Sequence, residues 1–229
     1  LGVTVNITDA VTIRGAGRTS TTIQRGTSNA FNGTGVAGAT LTLEDLTLQG
    51  SLNTGGTQDI ATTRVTFSGG SGTNINTLNG TIAITDCTLD GGVNSLGGNI
   101  TIANTTIVGG VNSSGGALSL TNAQVTGGGI NTSSGNISLT RTSIAGASGT
   151  GVNSSTGAVT LVESGVTNAN NDGINTSSGT ISLTRSLVSG SRGTGVNSTS
   201  GTITVTNSTI SGNESGVNGT TSVITIDAS

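Results

Sequence analysis

Valine, isoleucine and leucine recur along this chain at fixed distances from a repeated asparagine. From Ile75 onward the phrase Val/Ile-Asn returns at Asn76, Asn94, Asn112, Asn131, Asn153, Asn175, Asn197 and Asn218, in steps of 18, 18, 19, 22, 22, 22 and 21 residues. Six residues after each asparagine stand Ile82, Ile100, Leu118, Ile137, Val159, Ile181, Ile203 and Ile224. Eight after it stand Ile84, Ile102, Leu120, Leu139, Leu161, Leu183, Val205 and Ile226. A spacing of two places both columns on one face of a β-strand. A further column of Leu89, Ile107, Val125, Ile144, Val166, Val188 and Ile210 predicts a second strand. Two positions before it, the small residues Cys87, Thr105, Ala123 and Thr142 are expected to point inward too. A unit this short cannot bury its own apolar face, so copies must stack.

Glycine punctuates the repeat. Gly80, Gly98, Gly116, Gly135, Gly157, Gly179 and Gly201 precede the first strand, and a glycine stands before most Val/Ile-Asn pairs. Both sets are expected to be corners where glycine supplies unusual backbone angles. Length varies only between the second strand and the next asparagine, as in residues 145–151 and 189–195, which predicts a loop there. The columns reach back through Leu41, Leu43, Leu46 and Leu48, then Ile60 and Phe67, with Thr62 as a polar exception. An extra short strand is expected around residues 21–24. The fold expected is all-β: a right-handed, single-stranded parallel β-helix (β-solenoid) of about ten coils of 18–22 residues. Residues 1–229 read as one solenoid, with irregular first coils and a longer loop in 1–40 and regular coils in 41–229. At the usual strand spacing the rod is about 45–50 Å long.

Composition narrows the function. The chain has 40 Gly, no Pro, His, Trp, Tyr or Met, two Phe, 7% charged residues and a net charge of −3. No basic patch is present, so nucleic acid is not an expected partner. No apolar run is long enough to span a membrane as a helix. Cys87 has no partner for an internal disulfide and reads as a small buried thiol. Without histidine it lacks the usual means of becoming a nucleophile.

The string Thr202-Ile-Thr-Val-Thr-Asn-Ser-Thr-Ile-Ser-Gly-Asn213 resembles the repeat of bacterial secreted right-handed parallel β-helix proteins, including polymorphic outer-membrane and adhesin-like surface proteins. Val11-Thr-Ile-Arg-Gly-Ala-Gly17, followed by Thr22-Ile23, resembles their first coil, and Leu43-Glu-Asp-Leu-Thr-Leu-Gln-Gly50 the next. The resemblance covers nearly the whole chain and implies the fold. The same helix serves pectate lyases and polygalacturonases, but no catalytic motif of theirs matches here, so no site residue is carried over.

Ten residues after each asparagine lies the most informative polar column: Asp45, Arg64, Asp86, Asn104, Asn122, Arg141, Glu163, Arg185 and Asn207. Neighbours about 4.8 Å apart would form a charge ladder through Asp45, Arg64 and Asp86 and through Arg141, Glu163 and Arg185. Its expected use is to penalise slips of register, since each exposed pair contributes about 0–1 kcal/mol. The repeated asparagines are expected to form a second ladder inside a tight corner, bonding backbone groups of their own and adjacent coils. The competing reading is an exposed glycan-binding row.

Residues 91–140 carry no charged side chain. Polysaccharide hydrolysis needs two carboxylates, and lyase chemistry a base with charge neutralisation. Asp9, Asp59, Asp90, Asp172 and Glu214 are scattered over several coils. Asn171-Asp172-Gly173 lacks the spaced acidic set of a calcium loop and reads as a polar turn. No catalytic residue, metal ligand or cofactor site is therefore expected.

The outer face of the first strand is flat and rich in Thr and Ser. Thr81, Thr85, Thr101, Ser119, Thr121, Thr180, Ser182, Thr184, Thr202, Thr204 and Thr206 form a possible contact face. The expectation is a non-enzymatic, extracellular or cell-surface structural or adhesive solenoid, a stalk or fibre-forming segment of a bacterial surface protein. The alternatives are a carbohydrate-active β-helix enzyme of lyase or hydrolase type, or a glycan- or ice-binding module using that face. Partners expected are neighbouring solenoid segments or copies of the chain, end to end or side by side, and surface glycans. Residues 1–7 and 222–227 read as strand with no cap, so stacking at the ends is expected.

Overall fold

The computed structural model describes residues 4–35, 37–69 and 72–227. Of the expected first strand, residues 1–3 lie outside that set, and Val5–Ile7 is extended. Among the described residues, twenty-six strands form one continuous hydrogen-bonded system. Its pairings are parallel, each strand bonding to its counterpart one coil away, as in Leu118–Thr121 between Ile100–Ala103 and Ile137–Thr140. The result is a parallel β-solenoid of about 10 turns, with no helix among the described residues.

A regular coil has three strands, where the sequence pattern predicted two. The additional one is the Val/Ile-Asn phrase itself, as in Gly92–Ser95, Val152–Ser154 and Ile174–Thr176. It was expected to be a corner. The residues on either side of each asparagine point inward instead: Val152 and Ser154 are buried around a half-exposed Asn153, and Ile174 and Thr176 around Asn175. A buried Ser or Thr conceals the period-two pattern, because it scores as polar. The three faces are called here the asparagine face, the threonine face and the third face.

One core runs the length of the rod. Leu41, Ile60, Ile82, Ile100, Leu118, Ile137, Val159, Ile181 and Ile203 stack with their partners at 0–1% exposure. Cys87, Thr105, Ala123 and Thr142 are buried as expected. The polar exception, Thr62, lies in the core between Leu43 and Ile84. Its hydroxyl meets the Cys87 thiol at 3.5 Å. The extra strand expected at 21–24 is the start of a longer one, Thr22–Gly33.

Corners and glycines divide their work differently from expectation. The turn between the threonine and third faces is made by a left-handed residue in coil after coil: Asp45, Arg64, Asp86, Asn104, Asn122, Arg141, Glu163, Arg185 and Asn207, with φ between 48° and 55°. Glycine takes that conformation at the next corner, Gly127, Gly146, Gly190 and Gly212, where Asn168 fills one coil. The glycines before the threonine face are needed for another reason. A Cβ on Gly98, Gly116, Gly135, Gly157, Gly179 or Gly201 would lie 1.9–2.0 Å from a glycine carbonyl of the preceding coil. They are small because the coils touch there. Short coils pass straight from the third to the asparagine face in one strand, Thr106–Ser113 or Gln124–Thr132. Longer coils spend their extra residues in loops such as 146–151.

Candidate functional site

One concave surface lies on the asparagine face. Asn76, Asn94, Asn112, Asn131 and Asn153 line an open groove of about 380 Å³ that crosses successive coils. Turn residues two positions on, Leu78, Leu96, Ser114, Ser133 and Ser155, border it. Leu78 and Leu96 are 41% and 56% exposed, so one stretch has an apolar wall and the rest a hydroxyl wall. No groove-lining side chain is charged.

The asparagines form a ladder, but one between side chains on a strand face, not inside a corner. Asn218 Nδ2 donates to Asn197 Oδ1 at 2.9 Å, Asn197 to Asn175 at 2.9 Å, and Asn175 to Asn153 at 2.8 Å. Asn131 donates to Asn112 at 2.9 Å, and Asn112 to Asn94 at 2.9 Å. Asn94 turns its donor to Thr73 Oγ1. The series resumes from Asn76 to Asn53, Asn32 and Asn6, three positions the sequence reading missed. They stand in the same phrase, Leu52-Asn53-Thr54, Phe31-Asn32 and Val5-Asn6, at spacings too irregular to align by counting. A carboxamide has two donor hydrogens and an oxygen with two lone pairs. The ladder bond uses one of each, and Asn197 also donates to Asp172 Oδ2 at 3.4 Å. The two readings offered for these residues, ladder and exposed row, are therefore compatible.

The threonine face is regular. Thr101 pairs across strands with Ser119, Ser182 with Thr204, and Thr184 with Thr206. Thr81, Thr101, Ser119, Thr180 and Thr202 are exposed, and Thr85, Thr121, Ser182, Thr184, Thr204 and Thr206 half-buried. They form a smooth outer surface, away from the asparagine groove.

The charge ladder lies along the left-handed corner. Arg64 binds Asp45 through two nitrogens at 2.5 and 2.8 Å, and this hydrogen bonding holds the Asp45 carboxyl below its ordinary pKa. Asp86 accepts from Asn104 Nδ2 at 3.0 Å. Arg185 binds Glu163 at 2.8 Å, whereas Arg141 approaches it only to 4.0 Å and donates from Nε to Asn122 Oδ1 at 2.8 Å. The scattered carboxylates have local tasks. Asp59 accepts from Thr81 N, Asp90 from Gly69 N and Asn74 Nδ2, and Asp172 from Thr194 N. Among the described residues no three His, Cys, Asp or Glu side chains gather as a metal site would require. No described helix is long and apolar enough to cross a membrane.

No family model matches the chain, and no curated protein matches it in sequence. Two solved structures align with the chain, and the first shares its fold. The A-module of mannuronan C-5 epimerase AlgE6 from Azotobacter vinelandii aligns with a TM-score of 0.52 and 14% identity, over 98% of this chain and 84% of that one. The A-module of AlgE4 from the same organism aligns at 0.47 and 14%, over 98% and 85%. The AlgE6 name is that of an enzyme, so the expectation that this chain is not one no longer stands. That exclusion rested on the missing histidine and the charge-free coils, and composition of a few coils does not bound what an outer face can do. At this identity the likeness establishes the fold and transfers no residue.

Proposed function

We propose that this is a carbohydrate-active β-solenoid that lays a linear polysaccharide along its asparagine face. The groove supports the reading. Its length runs across coils, it offers amide donors and acceptors at every coil, and Leu78 and Leu96 give an apolar wall for C–H surfaces of sugar rings. Sugar hydroxyls both donate and accept, and an uncharged amide row meets both needs without the desolvation cost of ions. The epimerase modules that share the fold carry a polysaccharide in their printed name, so mannuronan belongs in the test.

The test is a panel of linear polysaccharides, mannuronan included, read by affinity electrophoresis for binding and by NMR for altered sugar products. The expected result is retention by at least one member, weakened by Leu96→Asp. Binding indifferent to Leu96→Asp, or none across the panel, would refute the groove.

A further inference from the structure

We infer that the corner at Arg141 is a second binding site, on a different face from the groove, which takes an acidic substituent of a glycan. It rests on the carbohydrate reading for its ligand class and on separate residues for its geometry.

Two guanidinium groups, Arg141 and Arg185, flank one carboxylate, Glu163, so the corner has a surplus of one positive charge. The sharing is unequal. Arg185 places both Nε and Nη2 on Glu163 Oε1, at 3.1 and 2.8 Å. Arg141 is engaged through Nε by Asn122 and stands 4.0 Å from Glu163 at Nη1, with 54% of its side chain exposed. The far edge of its guanidinium remains available to an anion.

The surface beside it is open because of one residue. On the third face Gly165 lies between Ser143 and Leu187. A Cβ at Gly165 would meet no atom within 4 Å, and its φ is not left-handed, so neither crowding nor backbone demands glycine there. The result is a shallow basin of about 430 Å³ bordered by Arg141, Glu163, Asn122, Gln124, Ser143 and Gly165. One cation with amides and a hydroxyl suits a sugar unit carrying a carboxylate or sulfate. A peptide is a poorer match, because the strands beneath are paired on both sides and offer no free edge. The net charge of −3 does not prevent this, since exposed charges beyond about 8 Å are screened at physiological salt.

The experiment uses the whole chain at physiological ionic strength, with polygalacturonate, dextran sulfate and neutral dextran as probes in titration calorimetry. The acidic polymers are expected to bind more tightly than dextran, and their ratio tells carboxylate from sulfate. Arg141→Gln and Gly165→Leu, the latter copying Leu187 one coil on, should each weaken the acidic polymers about five- to tenfold and leave dextran unchanged. Arg192→Gln, an exposed arginine in a loop, serves as control. Equal losses in Arg141→Gln and Arg192→Gln, or no preference for acidic polymers, would overturn the site. Sensitivity of dextran binding to Leu96→Asp tests the groove separately, so the two readings can fail independently.

Discussion

Gly116 lies so close over Gly98 that a Cβ on Gly116 would stand 2.0 Å from the Gly98 carbonyl oxygen. The neighbouring atoms are backbone, so they cannot rotate away. Gly116→Ala is therefore expected to destabilise the rod by about 3 kcal/mol or more, beyond the usual range of overpacking. Gly165→Ala should do the opposite, gaining about 0.4–1 kcal/mol by restricting the unfolded chain. Thermal unfolding of the two variants checks both signs.

Thr62 occupies a core column otherwise filled by Leu, Ile and Val, and its hydroxyl lies 3.5 Å from the Cys87 sulfur. A contact to a thiol is a weak return for a buried hydroxyl. Thr62→Val keeps the shape and removes the polar group, and should be neutral or stabilising by about 1 kcal/mol. A loss of more than that in chemical denaturation would show that the hydroxyl has a stronger role.

Arg141, Glu163 and Arg185 hold φ of 48–52°, where a side chain costs about 1–2 kcal/mol relative to glycine and where Asn is tolerated. Arg141→Asn should leave the melting temperature level or raised, while Arg141→Val should lower it, because a β-branched residue resists that conformation. Equal melting points for Asn and Val would mean the corner relaxes.

Two groups shift in opposite directions on folding. Burial raises the Cys87 thiol above its ordinary value. Its contribution is complete below the unfolded pKa and is lost as pH rises through the folded one. The native thiol should resist alkylation and react on unfolding. Asp45 is shifted the other way, first by the Arg64 hydrogen bond. Its contribution is present above the ordinary carboxylate value and disappears as pH falls through the depressed one. Melting curves of Asp45→Asn should lose that part of the acid dependence, and Cys87→Ala the alkaline part.

Much of this was legible in sequence because stacking repeats each side chain's environment from coil to coil. Columns such as Ile82, Ile100 and Leu118 therefore announced the core. The strand through Asn153 was not legible, because its inward partner Ser154 counts as polar, although it is fully buried. The purpose of Gly116 was not legible either, since contact with another coil leaves the same letter as a turn. The groove was legible only as the competing reading of an exposed asparagine row, because it belongs to five coils at once and has no charged or aromatic residue to mark it. The expectation of no enzymatic activity was drawn from absent residue types, which limit known mechanisms but do not describe the relief of an outer face.

The direction of the asparagine ladder has a consequence of its own. Each Nδ2 in the series points toward the coil nearer the N-terminus, so the carboxamide dipoles add along the rod instead of alternating. The two ends of the groove are therefore electrically unlike, positive toward the N-terminal coils, as in an α-helix but built from side chains. A linear sugar chain also has unlike ends. If the groove takes such a chain as proposed above, a compass needle along its floor would favour one of the two orientations before any single sugar is recognised.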